Sequence, residues 1–339
     1  NTYTKKNVVD FNDPDRFNSL VYQYPETGNS DSVGYISGSS DSNSSIILEN
    51  HLPVTIEVDV VFPRKNEERD PGFFATDFVS SSIFGFHQAA DDGANLSWQT
   101  PDSASVQIYA VRNEKESKHA RFLLTASDQS LNATVSSSLY KNLYDGGKWT
   151  LALRLSPKDY PVQGRVSGSL TRNYALDLYG VKLYGDLVEN EFSLTSSISH
   201  AAALTFLSAK KRLFAGAHRE NITGTLRQSS DVRISGVRYW FSRLSDEEIK
   251  SHARDPRNFG TDHAGQSSYL LQSNLSEYYV PKAATLALNW DFAQVTSSDT
   301  SSDGSSTTSD AKFTVLDISS GSVDTDRYGW ISTILNRQH

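Results

Sequence analysis

Two acidic residues in phase on one strand are the first feature of this sequence that could do chemistry. The run Val54-Thr-Ile-Glu-Val-Asp-Val-Val61 alternates strictly. Val54, Ile56, Val58 and Val60 therefore face one side of a strand, and Thr55, Glu57 and Asp59 the other. Retaining hydrolysis of a glycosidic bond needs two carboxyl groups about 5–5.5 Å apart, one a nucleophile and one an acid/base. Glu57 and Asp59 share a face, but the position that would extend the set is Val61, or Phe62 if a bulge intervenes. Neither can transfer a proton. The expectation is an outward strand face carrying ordinary charges, with no catalytic residue and no enzymatic activity.

Other chemistries find less support. No Gly-x-Ser-x-Gly occurs, and Gly34-Tyr-Ile-Ser-Gly38 has the wrong spacing for a nucleophile elbow. The eight histidines stand singly, with no His-x-x-x-His pair for a metal. His218, beside Arg219 on an expected strand, reads as structural. Asp91 and Asp92, with Asn95 nearby, cluster oxygen donors of the kind calcium takes, though not in the EF-hand pattern. The competing reading is a solvated turn that uses Asp and Gly for backbone reasons. A sugar site would need polar side chains on a strand face. Asn95, Gln99, Gln107 and Tyr109 are the candidates, while Trp98 falls in phase with Leu96 and belongs to a core. Most polar strand faces in antiparallel sheets are simply solvated.

The elements that would position these residues are strands. The 339 residues are 37% hydrophobic, with 16 Tyr and 16 Phe, and the apolar residues come in short runs separated by Ser, Thr, Asp, Asn and Gly. That is strand-and-turn chemistry. A net charge of −8 predicts no general attraction to nucleic acid. No apolar run approaches the roughly 18 residues of a membrane helix, so no membrane insertion is expected. Cysteine is absent, which removes disulfides and thiolate metal sites. Methionine is absent too, even at the first position, so the chain reads as part of something longer or a processed product.

A second clear strand is Trp149-Thr-Leu-Ala-Leu-Arg-Leu155, with Trp149, Leu151, Leu153 and Leu155 inward. Further strands are expected near 81–87, 94–100, 105–112, 120–127, 133–140, 174–185, 191–197, 213–218 and 231–241. Turns fall at Asp91-Asp92-Gly93, Asp145-Gly146-Gly147 and Tyr184-Gly185-Asp186. Many short strands at this spacing predict an all-β, two-sheet antiparallel sandwich. Ser245-Asp-Glu-Glu248 is a capping box that opens one helix over about 246–254, ended by Pro256, with Ile249 against the sandwich edge. Residues 261–339 form an extension. Its segment 296–310 (TSSDTSSDGSSTTSD) lacks the apolar residues to offset its own ordering and is expected to be flexible. Leu286–Phe292 and Phe313–Ile318 on either side read as one hairpin. Asn289-Trp-Asp-Phe292 also echoes Val8-Val-Asp-Phe11, as if a second sandwich began there.

Three segments resemble the concanavalin A-like lectin/glucanase superfamily in its laminin-G-like branch. They are Asp145-Gly-Gly-Lys-Trp149 with its following strand, Phe214-Ala-Gly-Ala-His-Arg219, and Ile234-Ser-Gly-Val-Arg-Tyr-Trp-Phe-Ser-Arg-Leu-Ser-Asp-Glu-Glu-Ile249. The resemblance covers about 1–260 and implies a jelly roll of two curved sheets, with ligands at the concave face or rim and calcium in some members. Glucanases of this fold carry Glu-x-Asp-x-(x)-Glu, which Glu57-Val-Asp59 starts and does not complete. The echoing tail also resembles the tandem sandwiches of large bacteriophage virion proteins. The expected function is a structural or assembly module of a virion, in contact with other virion or assembly proteins. The alternative is a carbohydrate-binding adhesion module for cell-surface glycans, extracellular or at the cell surface; a glycoside hydrolase ranks third.

Overall fold

The computed structural model of the chain describes residues 9–10, 19–21, 53–64, 78–88, 106–115, 117–126, 131–158, 173–208, 211–219, 226–240, 242–255, 286–296 and 314–317. In chain order the first strands are β1 (Val9–Asp10), β2 (Ser19–Val21), β3 (Val54–Val61), β4 (Ser80–Gln88), β5 (Val106–Arg112) and β6 (Ala120–Ala126). Then come β7 (Ala133–Ser136), β8 (Lys148–Pro157), β9 (Tyr174–Tyr184), β10 (Leu187–Ile198), helix α1 (His200–Ser208), β11 (Lys211–Gly216) and β12 (His218–Arg219). The last are β13 (Leu226–Gln228), β14 (Arg233–Trp240), helix α2 (Asp246–Arg254), β15 (Leu286–Thr296) and β16 (Thr314–Asp317).

Two antiparallel sheets stack as a jelly-roll sandwich. The larger runs β10-β9-β8-β3-β14-β15-β16, and the smaller runs β2-β11-β4-β5-β6-β7. Their inner faces carry the alternating residues the sequence marks: Val54, Ile56, Val58 and Val60 of β3 and Trp149, Leu151, Leu153 and Leu155 of β8 are all buried in one core. Phe122 of β6 sits amid its aromatic rings, 5.1 Å from Trp149 and stacked 4.9 Å from Phe192 of β10. Phe192 lies opposite Gly180 of β9, where an added Cβ would meet its ring at 2.2 Å; only glycine leaves room for it.

The described strands of 261–339, β15 and β16, belong to the larger sheet of this same sandwich. β15 pairs with β14, Val237 opposite Trp290, and Leu288, Trp290 and Phe292 enter the main core. β15 and β16 form the antiparallel pair read from the sequence. The two echoing segments therefore lie end to end along one edge of β14: β1 pairs Val9 with Ile234, and β15 follows from Gly236 onward. The expected flexible segment lies outside the described residues, apart from Thr296.

The outer face of the larger sheet is where the sequence reading fails. Every residue of β3 is buried, the polar ones included. Helix α2 lies across this face and forms a second core there, with Ile249 against Ala152, Tyr179 and Trp240. Ile249 thus packs on a sheet face, not on the sandwich edge. The helix has the predicted bounds and cap. Ser245 Oγ accepts from the Glu248 amide at 3.2 Å, and Glu248 Oε2 accepts from the Ser245 amide at 2.6 Å. Ser245→Ala removes one arm of this box and is expected to cost about 1 kcal/mol, readable as a lower urea midpoint with an unchanged slope. Helix α1, His200-Ala-Ala-Ala-Leu-Thr-Phe-Leu-Ser208, was not foreseen. Its alanines favour a helix without any alternation to signal it.

Candidate functional site

Glu57 and Asp59 do share one face of β3, and the register shows what flanks them. Glu57 stands between Ala152 of β8 and Arg238 of β14; Asp59 stands between Thr150 and Gly236. Helix α2 then closes over the pair. Glu57 is only 3% exposed. His252 Nδ1 lies 2.7 Å from its Oε1 and 2.9 Å from its Oε2, and the Trp240 indole N–H donates to Oε2 at 2.8 Å. The Trp240 and His252 rings stack at 5.5 Å, and the Arg238 guanidinium lies 3.9 Å from Oε2. Asp59 accepts from Thr150 Oγ1 at 2.5 Å and pairs with Lys148 Nζ at 3.2 Å. Lys148 also donates to the Ala253 carbonyl at the end of α2, at 3.3 Å.

Two carboxylates thus face two fixed cations, an indole N–H, a hydroxyl and an imidazole. Glu57, Asp59, Thr150, Gly236, Arg238 and His252 line a cavity of about 10 Å³, roughly the space of one water. No sugar ring fits there. The expectation of an ordinary outward charged face is corrected: these acids are buried, because the face has a helix over it. Burying a carboxylate costs several kcal/mol unless it is paired, and each neighbour named here supplies part of that compensation.

The start of α2 has its own anchor. Arg154 of β8 donates to the Leu244 carbonyl at 3.1 Å and to Asp246 Oδ1 at 2.6 Å. Its guanidinium lies 5.4 Å over the Tyr179 ring. The Tyr179 hydroxyl donates to Glu191 Oε1 at 2.7 Å. Burial first, then that bond and the charge of Glu191 together with the charges of Asp246 and Glu247, hold the Tyr179 phenol far above its ordinary value. It remains a donor at any physiological pH.

Of the sequence-chosen ligand contacts, Gln107 is placed in the protein interior, 1% exposed. Its Nε2 donates to Ser82 Oγ at 2.9 Å and to the carbonyls of Phe84 and Ile108 at 3.2 Å each. It ties β4 to β5 and is not available to a glycan, which corrects its assignment to a solvated face. Tyr109 is half-buried on β5, its phenol raised by that burial. Asn95 and Gln99, and the calcium candidates Asp91 and Asp92, lie outside the described residues. His218 is 2% exposed and stacks on Phe214 at 4.7 Å, as a structural histidine would. Among the described residues no group of three or more His, Asp or Glu could hold a metal ion, and no helix is long and apolar enough to cross a membrane.

Sequence reasoning missed His252, Trp240, Arg238, Thr150 and Lys148. A signal existed: Arg238 and Trp240 alternate with core residues Val237 and Tyr239, so a tryptophan stands on the supposed solvent face. A tryptophan there implies a cover, and the amphipathic helix that follows, with Ile249 and His252 three apart, is that cover.

No protein-family model matches the chain, and no curated protein does. Among solved structures it is similar to a native heptameric SAP-like pentraxin from Limulus polyphemus, with TM-score 0.35 and 11% identity over 70% of this chain and 82% of that one. It is also similar to the enzymatically active domain of tailspike protein 2 of bacteriophage CBA120, with TM-score 0.34 and 10% identity over 70% of this chain and 29% of that one. The alginate lyase Aly36B, solved with an alginate tetrasaccharide, gives TM-score 0.29 and 8% identity over 65% of this chain and 95% of that one. The chain therefore spans under a third of the tailspike domain. None of these likenesses assigns a chemistry.

Proposed function

We propose that the chain is a non-enzymatic structural module, a rigid sandwich that serves as spacer and protein-contact surface in a larger assembly, and that the assembly is a bacteriophage particle. The observation that carries the first part is the Glu57–Asp59 pair. The residues best arranged for hydrolysis are buried at the sheet face that α2 covers and are engaged by His252, Trp240, Thr150 and Lys148. A general acid must reach its substrate within hydrogen-bond distance, and here a helix occupies that approach. The virion setting rests on the resemblance of the echoing tail segment, Asn289–Phe292 against Val8–Phe11, to the tandem sandwiches of large phage virion proteins.

Glycan-array binding by the 339-residue chain, with calcium and again with chelator, tests this reading. The expected result is no specific binding under either condition and no cleavage of arrayed oligosaccharides. Specific binding would make the chain a carbohydrate-binding adhesion module, and loss of that binding under chelator would point to Asp91 and Asp92 as calcium ligands.

A further inference from the structure

Sheet edges are where a sandwich recruits other chains, because an edge strand leaves a row of N–H and C=O groups unpaired. Among the described residues, three of the four edges of the two large sheets are short. β16 has four residues, β7 four and β2 three. The fourth, β10, has twelve. Its protections are confined to its first half: it has no proline, lysine or arginine, its acids are Glu189 and Glu191, and its one irregularity with β9 falls between Val188 and Asn190. From Asn190 to Ile198 its pairing with β9 is unbroken, so its outer edge is regular over the same span.

We infer that the outer edge of β10 pairs antiparallel with β10 of a second copy of this chain, across a two-fold axis at Leu194, joining the two larger sheets into one. The strand is complementary to itself in this register. Ser193 stands opposite Thr195, a pair whose hydroxyls can bond across strands, and Phe192 stands opposite Ser196. Glu191 stands opposite Ser197. The Ser197 hydroxyl already accepts from the exposed Lys158 at 2.6 Å, so Glu191, whose Oε1 is held by Tyr179 and Lys250 of its own chain, also comes beside Lys158 of the other copy, twice per dimer. No like charges oppose each other along the strand, whose acids, Glu189 and Glu191, lie in its first half.

The same axis accounts for an exposed apolar tip. Tyr184, Leu187 and Val188, at the β9–β10 turn, are 78%, 73% and 41% exposed. They are the largest exposed hydrophobics among the described residues apart from Leu139. With Leu194 on the axis, Leu187 extends past the end of the partner strand to the first turn of α1, where Ala201 is exposed. The inference is independent of the functional reading above, since a glycan-binding chain could pair through the same edge.

Sedimentation velocity of the 339-residue chain across a concentration series tests it. The expected result is a concentration-dependent dimer of twice the chain mass. Ser193→Lys with Thr195→Lys sets like charges opposite each other at exposed positions and should give a monomer with an unchanged circular dichroism spectrum and a cooperative melt. Lys158→Glu should weaken the dimer by about tenfold or more. A wild-type chain that stays monomeric, or a double-lysine chain that still dimerises, would overturn the interface. Wild-type affinity in Lys158→Glu would overturn the Leu194 axis.

Discussion

Replacing Glu57 by alanine is expected to destabilise the fold by about 3–5 kcal/mol, the cost of breaking a buried ion-paired network by removing one partner. The truncation removes the carboxylate that accepts from the Trp240 indole N–H and faces His252 Nδ1 and the Arg238 guanidinium. Trp240 and His252 cannot turn to solvent, since both are buried between α2 and the sheet. Glu57→Gln keeps the shape and one acceptor oxygen, so its cost should be clearly smaller. Urea unfolding reads both as midpoint shifts at constant slope. A Glu57→Ala chain within 1 kcal/mol of wild type would mean that the carboxylate does not hold the helix.

An effect of similar size, about 3–5 kcal/mol, is expected of Asp231→Ala at a separate buried ion-paired network. Asp231 forms a salt bridge with Arg112 of β5, whose side chain has no solvent exposure. The Tyr144 hydroxyl donates to the other carboxylate oxygen at 3.0 Å, and the Arg112 guanidinium lies 4.2 Å over the Tyr144 ring. Burial raises the Tyr144 phenol, with Arg112 pulling the other way, so it stays protonated and donating. The Asp231 amide is held by Ser81 Oγ, and Ser230 donates to the Ser82 carbonyl. The network thus fixes the segment that leads into β14. Removing both charges with Arg112→Met and Asp231→Leu should restore most of the loss, because a pair replaced by apolar groups leaves no orphaned charge. If the double replacement is no better than Asp231→Ala, packing and not the ion pair dominates there.

What the sequence makes legible follows from local pattern. Alternation in β3 and β8 gives their inner faces correctly, because side chains on a strand point to opposite sides whatever lies above them. The capping box gives α2 at both ends, because its chemistry is contained in four consecutive residues. Alternation also sets Glu57 and Asp59 on the outer face, but it cannot say what covers that face. The cover comes from a segment almost two hundred residues later, and the pairs at this face, Glu57 with His252 of that segment and Asp59 with Lys148 of β8, carry no fixed spacing. Gln107 fails for the same reason: a polar residue in phase with a polar face reads as solvated until Ser82 and the Phe84 carbonyl are seen around it. Helix α1 left no periodic trace. The echo of Val8–Phe11 in Asn289–Phe292 is a feature of two strands that share one edge of β14, a relation visible only once the sheet is assembled.

The central claim is that Glu57 works with His252 to clamp α2 onto the sheet. The most direct measurement is a double-mutant cycle of Glu57→Gln and His252→Gln, read by urea unfolding. The account predicts a coupling of at least about 1 kcal/mol, as for residues in one hydrogen-bonded network. Additivity within about 0.3–0.5 kcal/mol, the behaviour of independent sites, would contradict it.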